Sequence, residues 1–274
     1  MSVIMPMTPA FRKTDASNYQ KLEINKRHFP MALLEGFLAI SILFCFPACT
    51  PGAEETDVPA YAEALLSAYP DHLSHYRDGR EKSFPERPDH TDVEDMFQDV
   101  YRTGELQTPD YLSDPGRYRC EAFFKRIYGS SRKKVRRRLV SVDWFGQKIP
   151  FTKVNHAADS LKAVEREIKS CYPHFEKYFE NSSSFNWRPV RGADRMSAHS
   201  YGMTIDICVD SSDYWRWDDR GKEELDEIAY HNRIPEEIIH VFERHGFISG
   251  ARWYHYDTMH FEFRPELLIF AQLR

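Results

Sequence analysis

A chain of 274 residues is long enough for one sizeable domain with appendages. Its 42% hydrophobic and 29% charged content is that of a soluble globular protein, and its net charge of -5 argues against a general nucleic-acid binder, which needs a basic excess. All five Trp fall at or after Trp144, so the packed core is expected in the second half.

The first segment stands apart from the fold. Lys26-Arg27-His28 precede the apolar run Phe29 to Ala48, which Glu35 interrupts, and Cys49 and a polar stretch follow. A basic region, an apolar region and a small residue at the boundary describe an export signal over residues 1–48. Phe46-Pro47-Ala48-Cys49 resembles a bacterial lipobox, which implies lipidation at Cys49 and a membrane-anchored lipoprotein of the bacterial cell envelope, facing the periplasm or exterior. Phe46 stands where Leu is usual, and Glu35 is costly in an apolar helix; the competing reading is an uncleaved membrane anchor. Residues 49–57 read as a tether. With Cys45 removed and Cys49 acylated, Cys120, Cys171 and Cys208 remain, enough for one disulfide of unspecified pairing.

Pro59 to Tyr69 predicts a short helix. Pro70 to Arg119 is rich in Pro and Asp and reads as loops with one helix near Val93 to Tyr101; Cys120 to Tyr128 predicts another. Residues 58–138 thus form a helical and loop-rich extension ahead of a domain at 139–274. The basic run Arg132 to Arg138 is either a patch for anionic polymers or lipid headgroups, or a solvated edge that discourages aggregation. Val140, Val142 and Trp144 alternate as a half-buried strand does, and the turn Phe145 to Lys148 leads into Ile149-Pro150-Phe151, giving a hairpin. Ala157, Leu161, Val164 and Ile168 share one helical face, which predicts a helix over His156 to Cys171. A second helix runs from Pro235 to His245 and stops at Gly246. Phe185 to Val190, Met203 to Val209 and Trp253 to Phe263 read as strands. Without a regular βαβ rhythm, the class is α+β with a mainly antiparallel sheet and flanking helices.

The chemistry concentrates in Ser197 to Asp206 and Trp253 to Glu262. Two imidazoles and a carboxylate close three sides of a tetrahedral zinc site and leave the fourth position open, as catalytic zinc requires. Gly202 lets the backbone turn after His199, and Asp206 lies on the polar face of a strand where an unpaired carboxylate would be expensive. Asp257 is a candidate base three residues before His260, provided the chain bends at Thr258. Glu262 is a candidate to orient an imidazole by accepting its other N–H. His255 rivals His260 as the third ligand.

The pattern Ser197-x-His199-x-x-Gly202-x-x-x-Asp206, followed by Asp257-x-x-His260, resembles the D-alanyl-D-alanine carboxypeptidase-like zinc peptidases, which include vancomycin-resistance dipeptidases and phage L-alanyl-D-glutamate endolysins. The resemblance spans about Leu139 to Leu268 and includes Trp187-Arg188, Tyr214 to Trp217 and Arg264 to Leu267. It implies a hedgehog/DD-peptidase-like fold, a Zn2+ ion held by His199, Asp206 and His260, and Asp257 as the base. It also implies an upstream Arg for the scissile carbonyl or oxyanion, for which Arg188 is favoured over Arg195 and Arg191. Ser197 and Tyr201 are implied near the first ligand, contacting it or the substrate. The expected activity is hydrolysis of peptidoglycan stem peptides, by a carboxypeptidase or an endopeptidase. The alternative is a non-catalytic zinc-containing binding or scaffold protein of the same fold.

Overall fold

The computed structural model describes residues 20–21, 60–69, 76–77, 82–84, 87–190 and 193–274. The expected export signal, the tether, Cys49 and Arg191 lie outside the described residues. Among those described, no helix is long and apolar enough to cross a membrane.

The class is α+β, with small antiparallel sheets and flanking helices. Six helices matter here: α1 (Ala60–Ala68), α2 (Glu121–Tyr128), α3 (Arg132–Arg136), α4 (Ala157–Cys171), α5 (Glu236–Arg244) and α6 (Pro265–Gln272). The strands are β1 (Leu139–Trp144), β2 (Gln147–Thr152), β3 (Thr204–Asp206), β4 (Phe247–Gly250) and β5 (Asp257–Phe263). β1 and β2 form the expected hairpin, in register from Leu139 opposite Thr152 to Trp144 opposite Gln147. The second sheet has the order β3-β5-β4, so β5 is its central strand.

That central position sorts the side chains of β5. Ile205 faces Phe261 across the β3–β5 ladder, while Thr204 faces Glu262 and Asp206 faces His260. Because residues alternate between faces, Ile205 and Phe261 enter the core and the four polar residues share the opposite face. Behind the apolar face, Phe242 of α5 stacks on Phe261 at 3.9 Å, and Trp144 packs edge-on to Phe179 at 5.4 Å. α4 packs on β1 and α5, while α1 lies against α6. One continuous apolar cluster takes in Tyr61, Leu65, Phe97, Phe123 and Phe124 from the extension together with Leu161, Phe242 and Phe261.

Three expected elements come out differently. Val93 to Tyr101 holds only a single 3-10 turn, Asp95–Phe97. Asp92 accepts the Glu94 and Asp95 amides and Lys82 binds Asp95 at 2.6 Å, local side-chain bonds that compete with a longer helix. Phe185 to Val190 is not a strand. Its amides are taken by the neighbouring turn, Asn186 donating to the His199 carbonyl and Arg188 to Ser200 Oγ, so it laces against that turn instead. The strand expected over Met203 to Val209 is limited to Thr204–Asp206. Cys120, Cys171 and Cys208 are all free thiols, so none forms the single disulfide the count allowed. The basic run forms the short α3, with Val135 buried and its charged side chains in solvent.

Candidate active site

His199 sits on the 3-10 turn Ala198–Tyr201, which Gly202 closes at φ +67°, in the left-handed region that favours glycine. A Cβ there would also collide with the Leu139 side chain. The Gly202 carbonyl accepts the Thr152 amide at 2.8 Å, which ties this turn to the hairpin. His199 Nδ1 is 2.7 Å from the Ser184 carbonyl, which only an N–H can satisfy, so Nε2 carries the lone pair. That Nε2 lies 3.1 Å from Asp206 Oδ2.

His260 meets Asp206 because the two are direct cross-strand partners. Its Nδ1 is 3.0 Å from Asp206 Oδ1, and its Nε2 is 2.8 Å from Glu262 Oε1. Ligand atoms of His199, Asp206 and His260 therefore lie within 4.8 Å of one another, and this trio forms the metal-competent cluster found among the described residues. Each imidazole has its outward nitrogen tied to a carbonyl or carboxylate, the arrangement that fixes tautomer and ring orientation in metal sites.

Glu262 is fully buried and held on three sides. It accepts from His260, from Arg119 Nη1 at 2.6 Å and from Arg264 Nη1 at 3.4 Å. Arg264 in turn donates to Glu266 and to the Gly116 carbonyl. Burial alone would raise the Glu262 carboxyl, but Arg119, His260 and Arg264 bring it down to about 2. Burial opposes a charge on His260, yet Asp206 and Glu262 outweigh it and raise the imidazole to about 10. Asp206 is likewise held below the usual carboxylate range, because His199 and His260 overcome its desolvation. The cluster thus favours a cation between its carboxylates, and its donor set of two imidazoles and one carboxylate fits zinc.

Asp257 opens β5. On a regular strand, residues 257 and 260 would face opposite sides, but the β4–β5 register shifts between Ser249 and Gly250, leaving Thr258, Met259 and His260 without partners in β4. This irregularity is the bend the spacing required at Thr258, whose backbone and hydroxyl are clasped by Asp213. Asp257 Oδ1 is buried and has no hydrogen-bond partner among the described residues. Burial raises the Asp257 carboxyl to about 6; His260, His199 and Arg117 lower it, Asp206 raises it further, and burial prevails.

His255, the rival ligand, is not brought to the cluster. It is buried, with Nδ1 2.6 Å from Asp114 Oδ2, Nε2 3.0 Å from the Glu224 carbonyl, and Trp215 against its ring at 4.7 Å. Ser197 is buried beside the His199 turn, but it is Ser200 whose hydroxyl ties the turn to Asn186 and Arg188. Tyr201 packs between Phe124 and Tyr128, and its buried hydroxyl has no partner among the described residues. The Arg188 side chain is exposed and, among the described residues, reaches only the neighbouring Pro189 carbonyl at 3.5 Å. Arg195 is half-buried, four residues before His199.

Arg119, Arg117 and the Ser184 carbonyl were missed in the sequence. The one available signal is Glu262 itself: a carboxylate between Phe261 and Phe263 demands a cation.

Residues 191–263 match the family model described as D-alanyl-D-alanine carboxypeptidase. The matched segment includes His199, Asp206, Asp257, His260 and Glu262 and excludes Arg117 and Arg119. No curated protein and no solved structure matches the chain.

Proposed function

We propose that this protein is a zinc-dependent peptidase acting on peptidoglycan stem peptides, with a hedgehog/DD-peptidase-like fold in residues 139–274. The observation that carries the reading is a buried carboxylate oxygen on Asp257, without a hydrogen-bond partner among the described residues, beside a His199–Asp206–His260 cluster and inside the segment that matches the carboxypeptidase family. His199 Nε2, Asp206 and His260 Nδ1 would hold the ion. When bound, the ion supplies Lewis acidity toward a scissile carbonyl and an attacking water. Asp257 accepts the proton of that water and delivers it to the leaving amine, a task suited to a carboxyl near 6 that is ionised at neutral pH yet basic enough to take a proton. Ser184 and Glu262 keep the two imidazoles in the required tautomers.

The non-catalytic alternative leaves Asp257 unexplained, since a zinc-bearing scaffold gains nothing from a desolvated, unpartnered carboxylate. Export and lipidation at Cys49, and the division into residues 1–48, 49–57, 58–138 and 139–274, belong to the same reading and rest on the sequence. Metal analysis of the purified protein tests the site. One zinc per chain, lost from His260→Ala, is expected; full metal in the His199→Ala, His260→Ala double variant would overturn the assignment.

A further inference from the structure

Between Glu121 and Asp143 the chain carries no acidic residue, although the net charge of the protein is -5. Within that stretch, Arg132, Lys133, Lys134, Arg136 and Arg137 are exposed and Arg138 is partly so, splayed around the buried Val135 of α3. None of the six makes an ion pair among the described residues; Lys134 Nζ reaches only the Ser130 hydroxyl, at 3.1 Å. Neighbouring elements pair their cations: Lys125 holds Glu121, Lys162 holds Asp159, Lys169 holds Glu165 and Arg244 holds Glu167. The exposed Lys153 adjoins the run, its amide donating to the Arg138 carbonyl at 2.9 Å.

Local stability does not account for this patch. Its like charges repel one another, and Arg132 and Lys133 stand in the first turn of α3, the end of a helix that favours acidic residues. A charge that guards a strand edge sits on the strand, and all six precede β1. The surroundings of the patch are more informative. α3 packs on the turn that carries His199, and Leu139, which follows the run, lies over Gly202. Two residues past Lys153, Asn155 Nδ2 donates to the carbonyl of Ala68, the last residue of α1, at 2.7 Å. α1 is about 13 Å long, so the chain ahead of Ala60 leaves the fold within roughly 25 Å of Lys153. That chain carries the apolar run Phe29 to Ala48, and residues 49–59 between them reach at most about 40 Å. Lipidated at Cys49 or kept as an anchor, the segment brings a bilayer within reach of the patch.

We propose that α3, with Arg138 and Lys153, is a membrane-docking surface that seats on the anionic phospholipid headgroups of the bilayer to which the tether leads. An acidic body with a basic facet is repelled by an anionic surface in most orientations and drawn to it through that facet. Because α3 packs on the His199 turn, docking also fixes how the metal cluster is oriented relative to the bilayer. The proposal is independent of the peptidase reading.

The test uses the full chain reconstituted, facing outward, in vesicles of phosphatidylcholine alone or of equal parts phosphatidylcholine and phosphatidylglycerol. An amine-reactive label read by mass spectrometry reports the exposure of each lysine. On anionic vesicles at low salt, Lys133, Lys134 and Lys153 should label at least about tenfold more slowly than on neutral ones, since each cation near an anionic surface shifts docking about fivefold. Lys169, which lies over Phe145 at the far tip of the hairpin, should keep its rate. The protection should vanish in 1 M salt, where the screening length falls to about 3 Å. The triple variant Arg132→Gln, Arg136→Gln, Arg137→Gln should weaken docking about a hundredfold and lose the protection, while the same three positions changed to Lys should keep it. These side chains bond nothing among the described residues, so both variants should melt with the wild type. Equal labelling on the two kinds of vesicle overturns the proposal, and so does protection of Lys169 equal to that of Lys133, which marks general adsorption. Soluble polyphosphate added to the chain in neutral vesicles covers the rival occupant: protection by the polymer with none from anionic vesicles assigns the patch to an anionic polymer and overturns the bilayer.

Discussion

Replacing Asp257 by Asn should make the metal-free protein more stable and the zinc-loaded protein inactive. Burial lifts the Asp257 carboxyl from 3.8 to about 6, so folding disfavours its ionised form. Below about pH 4 the carboxyl is protonated in both folded and unfolded chains, and wild type and variant should differ little. Above about pH 6 it is ionised in both, and the desolvation cost falls on the folded wild type alone; a shift of this size corresponds to about 3 kcal/mol at most. Asn keeps the shape without the charge, so Asp257→Asn should gain up to about 3 kcal/mol at pH 7, shrinking toward zero as the pH falls to about 4. Urea unfolding in the presence of a chelator, at several pH values, reads this directly. With zinc restored, the variant should bind metal normally and lose roughly two to four orders of magnitude in turnover. A variant no more stable than wild type at pH 7, or a gain that persists unchanged at pH 4, would refute the reasoning about burial. Undiminished hydrolysis would refute the role of base.

Arg119→Ala should weaken zinc binding about ten- to a hundred-fold in chelator competition by freeing Glu262 and hence His260, with partial recovery in Arg119→Lys; unchanged affinity would remove Arg119 from the site. Gly202→Ala should lower stability by more than about 1 kcal/mol, since it combines a left-handed φ with a collision against Leu139; a melting temperature equal to wild type would contradict that packing. Cys49→Ser should abolish lipid labelling and release the protein from membranes, whereas unchanged migration and fractionation would favour an uncleaved anchor.

Much of the site was legible because its determinants are local. Gly202 announced the turn after His199, and the alternation through Thr204, Ile205 and Asp206 placed the carboxylate on the polar face, which the structure sets opposite His260. The hairpin at Leu139 to Thr152 and helices α4 and α5 were legible for the same reason: their periods lie within a single segment. Long-range partners were not. Arg119 is 143 residues from Glu262, and nothing periodic links Arg117-Tyr118-Arg119 to β5. Asp95 read as helix material within Val93 to Tyr101, but Asp92 and Asp95 spend their carboxylates on backbone amides and Lys82 instead. His255 was ambiguous because its direction is set by Asp114, in a stretch that reads as featureless loop.

The central claim is that His199, Asp206 and His260 hold a metal beside which Asp257 drives peptide hydrolysis. Mass spectrometry of purified muropeptides incubated with zinc-loaded protein tests it most directly. The account predicts fragments whose masses sum to the parent plus one water, produced by the wild type and lost on chelation and in Asp257→Ala. Intact muropeptides in the presence of a protein that carries one zinc per chain would contradict it and leave a metal-bearing binding protein as the better description.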